Sequence, residues 1–467
     1  MNENNEVDEL GIGESRHPEW KYASNASFQF TVTIILTTIS VFLFYYYEVV
    51  LGLSAWYIFL ALTIWTVYDA LNDPLLGFLM DRNTKLTKKF GRRFPWIAIG
   101  IIPWCLTVYL IFSAPDIDGT TNPWPIFWWL LIQVNIQVLR PDLFREEVER
   151  RKLSKYYMPI DMVAMALGLM IPPLFLGAGE GREAFAFMGA MIAIIAIISA
   201  ILFLPGAHED KVVIDRYFSA EYETMSFFSG MKEVIKQKSF ITYFIMLTCF
   251  VTAGNLMMAN AIYLITFVLQ ADPDTVTYMF AIFLIGALIS IPFWLKALNK
   301  MNNNKKLVTI GGFAITLAMI PLTFFMTIID LFIIMFILGF CLGSLWAFIY
   351  TIIQANVVDD YVARTKKNQK AILIGTSIFL GRLAATIDEL LIAIVHSLTG
   401  FVAGKETYGE LRSAVADIEL VLWGIRLLSG VIPAIIMLIG TIIFWKYYPL
   451  TQDVVIKNKE MLKKLGF

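Results

Sequence analysis

The most constraining feature of the sequence is a pair of acidic residues, Asp69 and Asp73, inside an apolar segment that runs from Leu53 to Met80. That segment is long enough to cross a bilayer. A carboxylate in hydrocarbon costs about 2.5–3.5 kcal/mol on insertion scales, so such residues persist where they face water, a counter-charge or an ion. The four-residue spacing puts both on one helix face, where two carboxylates can share a proton or hold a small cation. The pair, with the nearby amide of Asn72, favours a transporter coupled to a cation.

The composition extends this interpretation to the whole chain. Of the 467 residues, 58% are hydrophobic and only 16% are charged, far from the balance of a soluble protein. Hydropathy predicts an all-α integral membrane protein with twelve transmembrane helices. The predicted spans are 27–47, 53–80, 95–113, 124–140, 158–178, 185–205, 240–268, 275–296, 307–326, 329–354, 371–396 and 420–446.

The positive charges predict the orientation of these spans. Of the 37 Lys and Arg residues, 32 fall at the termini or in the loops after even-numbered spans, and two lie within apolar segments. Only Arg182, Lys405 and Arg412 fall on the opposite side. Because cytoplasmic loops carry the excess of Lys and Arg, both termini are predicted to be cytoplasmic, in a multi-pass protein of the plasma membrane.

The longest polar interval between spans divides them six and six. We therefore expect two six-helix bundles, and part of the linker between them is either an amphipathic helix on the inner leaflet (218–238) or a solvated connection. The expected domains are a cytoplasmic segment 1–26, an N-terminal bundle 27–205, a linker 206–239, a C-terminal bundle 240–447 and a cytoplasmic tail 448–467.

A second charged group follows span 2. Gly77, Asp81 and Arg82, followed by Arg92 and Arg93, form the pattern Gly-x-x-x-Asp-Arg…Gly-Arg-Arg, which is the loop signature of the major facilitator superfamily. An acid and several arginines at such a junction can lock one conformation closed, although they also form part of the positive-inside signal.

Span 11 carries Arg382, Asp388 and Glu389. Seven residues separate Arg382 from Glu389, which on a continuous helix places them on one face about 10.5 Å apart along the axis. Arg382 would then give a central cavity a positive side opposite the acids of span 2. The alternative is that these charges form an internal salt bridge. Trp346 is expected to add an aromatic wall.

The sequence offers no sign of an enzyme. The three histidines, His17, His208 and His396, show neither metal spacing nor a triad, and no Gly-rich phosphate loop is found between a strand and a helix. We expect no cofactor apart from a coupling cation (Na⁺, H⁺ or Li⁺), no nucleic-acid partner, and a monomer in contact with membrane lipids and a small-molecule substrate.

Taken together, the motifs resemble the melibiose-permease-like glycoside–pentoside–hexuronide:cation symporters of the major facilitator superfamily. The stretch from Asp69 to Gly77 is the specific part of this resemblance. It extends over Tyr45–Tyr47, Gly52–Ser54, Gly91–Trp96, Glu149–Arg150, Val357–Asp359, Gly424–Arg426, Pro433 and Tyr448–Thr451.

The resemblance implies that Asp69 and Asp73 bind the coupling cation, and that Arg382 stands where family members have a lysine. Glu149 and Arg150 join Asp81, Arg92 and Arg93 in the cytoplasmic gate. Thr33 and Gln133 stand where sugar-carrying members have acids that grip sugar hydroxyls, and Asp161 occurs where an arginine is usual. The similar lysolipid–sodium symporters keep the span 2 acids without the sugar-binding pair.

The leading hypothesis is a cation-coupled symporter of a sugar or glycoside that works by alternating access, with Thr33, Gln133, Arg382, Glu389 and Trp346 as substrate residues. A lysolipid or charged-metabolite symporter is the alternative within transport. A non-transporting receptor or scaffold is a further alternative, against which stands the desolvation cost of keeping both span 2 acids.

The charge distribution gives a direct test of topology. A cysteine introduced at Asp118 should react with an impermeant maleimide from outside intact cells, whereas one at Asn303 should react only after permeabilisation. The reverse labelling pattern would overturn the orientation.

Overall fold

The computed structural model describes residues 17–80, 94–134, 147–176, 181–208, 227–301, 303–366, 370–384 and 386–464. Every one of the twelve predicted spans coincides with at least one helix, and no strand occurs in these ranges. The helices are α1 (Glu19–Tyr45), α2 (Ala55–Met80), α3 (Phe94–Phe112), α4 (Pro123–Val134), α5 (Glu147–Leu176), α6 (Gly181–Ala207), α7 (Phe227–Lys236), α8 (Lys238–Tyr263), α9 (Asp274–Met301), α10 (Asn304–Met319), α11 (Ile328–Phe348), α12 (Gln354–Thr365), α13 (Lys370–Ala384), α14 (Ile387–Thr399), α15 (Tyr408–Ala414), α16 (Ile418–Ser429), α17 (Val431–Tyr447) and α18 (Gln452–Lys464).

Many of these helices have the length and hydropathy of membrane spans. Within the described ranges, eight helical stretches are long and apolar enough to cross a bilayer. They include the stretch Glu19–Val50 and the stretch Lys152–Leu176, which carry side chains of the candidate site. The prediction of an all-α integral membrane protein is therefore confirmed.

The described residues form two compact units. One contains those of Met1–Tyr46, Leu71–Ile117 and Trp124–Tyr222, and the other contains those of Tyr47–Ala70, Asp118–Pro123 and Glu223–Phe467. The boundaries of two six-helix bundles stay a prediction.

In the first unit, α1 packs against both α5 and α6, and α3 packs against α6. Close approach depends on small residues, as is common between membrane helices. A Cβ added at Gly168 of α5 would lie 3.0 Å from the Cβ of Thr37, and one at Gly189 would lie 3.0 Å from the Cβ of Phe112. The first of these contacts holds α1 beside α5, where the candidate polar cluster lies, and the second holds α3 against α6.

In the second unit, the tightest contact joins α9 and α11. A Cβ added at Gly339 would overlap the carbonyl oxygen of Phe283, and one at Gly286 would overlap that of Phe336. The two backbones therefore touch through glycines on both sides, an arrangement that any larger side chain would force apart.

Several predicted spans are not uniform α-helices. Five- or six-residue π-helical turns, Tyr46–Val50, Leu264–Leu269 and Ile349–Ile353, continue α1, α8 and α11. The last predicted span is divided at Gly430, where an added Cβ would overlap the Thr323 hydroxyl. Such interruptions change the direction of side chains, so they matter for the site below.

The linker is partly described. Residues 209–226 lie outside the described part, but α7 falls within the stretch expected to be an amphipathic helix or a solvated connection. Gly230 of α7 lies against Ile372 of α13, with a virtual Cβ only 2.8 Å from the Ile372 Cγ2. This part of the linker is thus helical and packed against the protein.

The last described helix, α18, is bound to the rest of its unit through the buried carboxylate of Asp360. Asp360 of α12 is 2% exposed and accepts hydrogen bonds from Ser239 Oγ at 2.6 Å, Gln237 Nε2 at 2.9 Å and Arg364 Nε at 3.0 Å. Asn458 Nδ2 of α18 donates a further bond of 3.2 Å. Much of the region predicted to be a cytoplasmic tail is therefore a helix bound to the rest of the unit.

The glycine contact between α9 and α11 can be tested by a substitution that adds one methyl group. Gly339→Ala should destabilise the protein by about 1–3 kcal/mol, because the added carbon cannot fit without separating the two backbones. Thermal unfolding in detergent would report this as a lower midpoint.

Gly254→Ala is the matched control, since no atom outside its own helix lies within 4 Å of the added Cβ. Equal midpoints for the two variants would contradict the proposed contact.

Candidate functional site

The first component of the site is the acidic residue Asp69 of α2. Its side chain is 7% exposed, within a helix that continues past Asp73 and Pro74 to Met80. The side chains of Asn72 and Asp73 lie outside the described part, so their role as cation ligands stays a prediction. A buried acid at this place in an apolar helix is the physical basis for that prediction.

The second component is a polar cluster between α1 and α5. The Thr33 hydroxyl and the Gln29 amide, which lie one turn apart on α1, both donate to Oδ1 of Asp161 on α5. The Gln29 nitrogen is 2.7 Å from this oxygen and also 3.1 Å from Thr33 Oγ1. Thr33, predicted as a substrate residue, thus lies against the carboxylate of Asp161. The sequence analysis had noted Asp161 only because it stands where the family usually has an arginine.

Gln133, the other neutral residue at a predicted sugar-binding position, lies on α4. Its side chain is 7% exposed, and its buried Oε1 accepts no hydrogen bond from any residue that the structure describes. An unpaired buried amide oxygen costs about 1–3 kcal/mol, which a hydroxyl or ammonium donor from a ligand would recover. Gln133 therefore remains a candidate binding residue.

A third group was missed by the sequence analysis. Glu48, within the π-helical turn after α1, is 2% exposed and lies beside His396 of α14, with Nδ1 2.9 Å from Oε2 and 3.1 Å from Oε1. The hydroxyl of Tyr263 donates to the same Oε2 at 2.6 Å. Phe401 stacks on the imidazole with ring centroids 4.5 Å apart. We call Glu48, Tyr263 and His396 the acid–histidine cluster.

The backbone around this cluster is fixed by loops on the predicted outer side. The amide of Gly404 donates to the carbonyl of Glu48 at 2.9 Å, and that of Gly119 donates to the carbonyl of Leu51 at 2.8 Å. Gly52 and Gly404 adopt φ values of +74° and +75°, which glycine tolerates without strain. The sequence analysis did not pair His396 with Glu48, because the two residues are 348 positions apart in the sequence.

Span 11 differs from the continuous helix that the sequence suggested. Thr386, at φ −89° and ψ 0°, lies outside both α13, which carries Arg382, and α14. The seven-residue spacing therefore does not place Arg382 and Glu389 on one helix face. Asp388 and Glu389 occupy the first turn of α14, and the buried atoms Asp388 Oδ1 and Glu389 Oε2 have no hydrogen-bond partner among the described residues.

The remaining predicted residues are only partly described. The side chains of Arg382 and Trp346, and that of Arg150 in the cytoplasmic gate, lie outside the described part, as do Asp81, Arg92 and Arg93 altogether. Glu149 is 5% exposed, with Oε1 3.7 Å from Nε2 of His17. The cytoplasmic gate thus stays a prediction. Glu149, one of the acids predicted to belong to it, is buried.

Relatives place this geometry in context. The chain is 22% identical to the sodium-dependent lysophosphatidylcholine symporter 1 of Gallus gallus over 460 residues, covering 88% of this chain and 83% of that protein. It is 24% identical to the inner membrane symporter YicJ of Escherichia coli, covering 90% and 89%.

Among solved structures, the fold is similar to a bacterial homologue of the human lysosomal transporter Spinster, with a TM-score of 0.61 and 11% identity over 95% of this chain and 99% of that one. The nucleoside transporter NupG gives a TM-score of 0.51 at 14% identity, over 94% and 99%. These likenesses support the fold alone.

The family described as MFS/sugar transport protein matches residues 24–452, nearly the whole chain. The resemblance drawn from the span 2 motif is thereby confirmed, and the family is one of transporters and not of enzymes. The chain belongs to this family of the major facilitator superfamily.

Proposed function

We propose that this transporter is a cation-coupled symporter of a lysophospholipid-like amphiphile that works by alternating access. The observation that carries the coupling is the burial of Asp69 within an apolar helix, one turn before Asp73. An ionisable residue inside an apolar helix is costly, and in membrane proteins such residues typically mark ion or substrate pathways. Na⁺ is the proposed cation, since several relatives bear the name sodium-dependent symporter.

The substrate proposal reverses the order of the two transport hypotheses. The lysophosphatidylcholine symporters align with this chain over most of their length. Thr33 and Gln133 are neutral at the positions where a sugar carrier is expected to have acids. The hydroxyl of Thr33 already donates a hydrogen bond to Asp161. A sugar or glycoside remains the second candidate, favoured by the description of the family.

Alternating access requires contacts that form and break at each side of the membrane. We assign the acid–histidine cluster to the outer side, because Glu48 ends the first span and Gly404 belongs to a predicted outer loop. If this side opened, the Glu48 carboxylate would separate from His396 and Tyr263. The closed state is therefore held by several hydrogen bonds that would break together. The charged residues near Glu149 are proposed to do the same at the cytoplasmic side.

The remaining proposals follow from the charge distribution and the site. The protein is proposed to act as a monomer in the plasma membrane, with both termini cytoplasmic. Gln133, Glu389, Arg382 and Trp346 are proposed to contact the substrate, the first two through buried oxygens that have no partner within the described part of the chain.

The substrate class can be tested by ligand-induced stabilisation. Purified protein should unfold at a higher temperature with lysophosphatidylcholine than with sugars or glycosides, and more so in Na⁺ than in K⁺, because a ligand that binds the folded state stabilises it by mass action. Stabilisation by a glycoside alone would favour the second candidate.

The span 2 acids should be required for coupling. Asp69→Asn and Asp73→Asn should each abolish Na⁺-driven accumulation of lysophosphatidylcholine in proteoliposomes, because an amide keeps the shape but removes the charge that attracts the cation. Uptake would be followed with labelled substrate under an imposed Na⁺ gradient.

Asp272→Asn, in an exposed loop before α9, is the control and should transport normally. Full Na⁺-driven accumulation by both span 2 variants would place the ion site elsewhere.

The acid–histidine cluster should behave as one energetic unit. Glu48→Ala and His396→Ala should each destabilise the protein by about 3 kcal/mol, because either change leaves buried polar partners uncompensated. The double variant should lose clearly less than the sum of the two.

Thermal midpoints of the four proteins in one detergent would measure this coupling, with Glu183→Ala, an exposed glutamate on α6, as control. Strictly additive losses would show that the two side chains do not act together.

A further inference from the structure

The cluster around Asp161 lies near the middle of the two helical stretches that carry it. Asp161 is halfway along the 30-residue helix α5, and Thr33 is halfway along the 32-residue helical stretch Glu19–Val50. In secondary transporters, substrate sites lie near the middle of the bilayer. The position of the cluster therefore suits a binding role.

Among the described residues, the hydrogen-bond donors to Asp161 are neutral. They are the hydroxyl of Thr33 and the amide of Gln29, and both reach the same oxygen, Oδ1. Within the same part of the chain, no Lys or Arg forms an ion pair with Asp161, and its Oδ2 accepts no hydrogen bond. The half-buried carboxylate is thus oriented by described neighbours that carry no positive charge.

The orientation of the donors argues against a second inorganic cation site. A sodium ion needs several oxygen ligands directed at one point. Here the amide of Gln29 presents its N–H group to the cluster, and the hydroxyl hydrogen of Thr33 is directed at Asp161. Such an arrangement holds one carboxylate in place and leaves its outer oxygen for a single cationic group.

We propose that Asp161 is the subsite that receives the positively charged group of the transported molecule, a primary or quaternary ammonium. This inference rests on the proposed function, since it names the head-group chemistry of the same substrate site. Gln29 and Thr33 are positioning residues: they fix Oδ1 so that Oδ2 meets the ligand. A molecule with a cationic or zwitterionic head group should be preferred to a neutral or anionic one.

The test compares ligands with and without a quaternary ammonium group. The first pair is choline and its neutral carbon isostere 3,3-dimethylbutan-1-ol. The second pair is zwitterionic lysophosphatidylcholine and anionic lysophosphatidylglycerol with the same acyl chain. Binding to purified protein would be measured by calorimetry. We expect wild type to prefer the ammonium-bearing member of each pair by about tenfold or more, because a contact between the ammonium and a carboxylate contributes at least that factor to affinity.

Variants then assign the preference to its source. Asp161→Asn should reduce the preference to near unity in both pairs, whereas Asp161→Glu should keep part of it and Asp272→Asn all of it. Thr33→Val, which removes one orienting hydroxyl at nearly constant volume, should lower the preference partially. This variant keeps the test decisive if Asp161→Asn fails to fold.

The outcomes separate this inference from the proposed function. Loss of the choline preference in Asp161→Asn supports the subsite even if proteoliposomes transport no lysolipid, which would overturn only the proposed substrate. Lysophosphatidylcholine uptake with undiminished charge preference in both Asp161→Asn and Thr33→Val would overturn the subsite alone. An unchanged preference with a lost Na⁺ dependence for all ligands would make Asp161 an ion ligand and also overturn it.

Discussion

A polar group within hydrocarbon must find a partner, and this constraint organises the whole protein. Glu48 has His396 and Tyr263, and Asp360, just beyond the predicted span 10, has four donors. Apart from the bond between Arg364 and Asp360 on one helix, these bonds join segments far apart in the sequence. Apolar surfaces alone give membrane helices little reason to choose one neighbour over another. Polar contacts therefore supply the specificity that hydrophobic burial supplies in soluble proteins.

The irregular helical segments lie where these polar contacts occur. Glu48 belongs to a π-helical turn, and Tyr263 is the residue directly before another. Asp388 and Glu389 follow the non-helical Thr386. A π-helical turn inserts one extra residue and rotates the side chains that follow, so it can direct an acid away from lipid without ending the span. At these positions, buried polar contacts and helix irregularity therefore occur together.

Hydropathy was sufficient to predict the helices, because each span must satisfy its own backbone within the bilayer. Asp69 was also predictable, since a buried acid in an apolar segment is visible in the sequence. The pairing of Glu48 with His396 was not, because local patterns carry no information about partners 348 residues apart. The hydrogen bond from Thr33 to Asp161 was hidden for the same reason, because Asp161 lies on another helix. The break at Thr386 has no proline or glycine beside it to reveal it.

The anchoring of α18 has a practical consequence for engineering the protein. Truncation after Pro449 would remove Asn458 and leave the buried Asp360 with one donor fewer, at a site where Ser239, Gln237 and Arg364 already converge. A fluorescent reporter intended to leave folding undisturbed belongs beyond Lys464, joined by a flexible spacer. Conversely, a fluorescent reporter attached within α18 would lie close to the ends of α8 and α12, which meet α18 at Asp360. Its emission would respond to any change in the position of those ends.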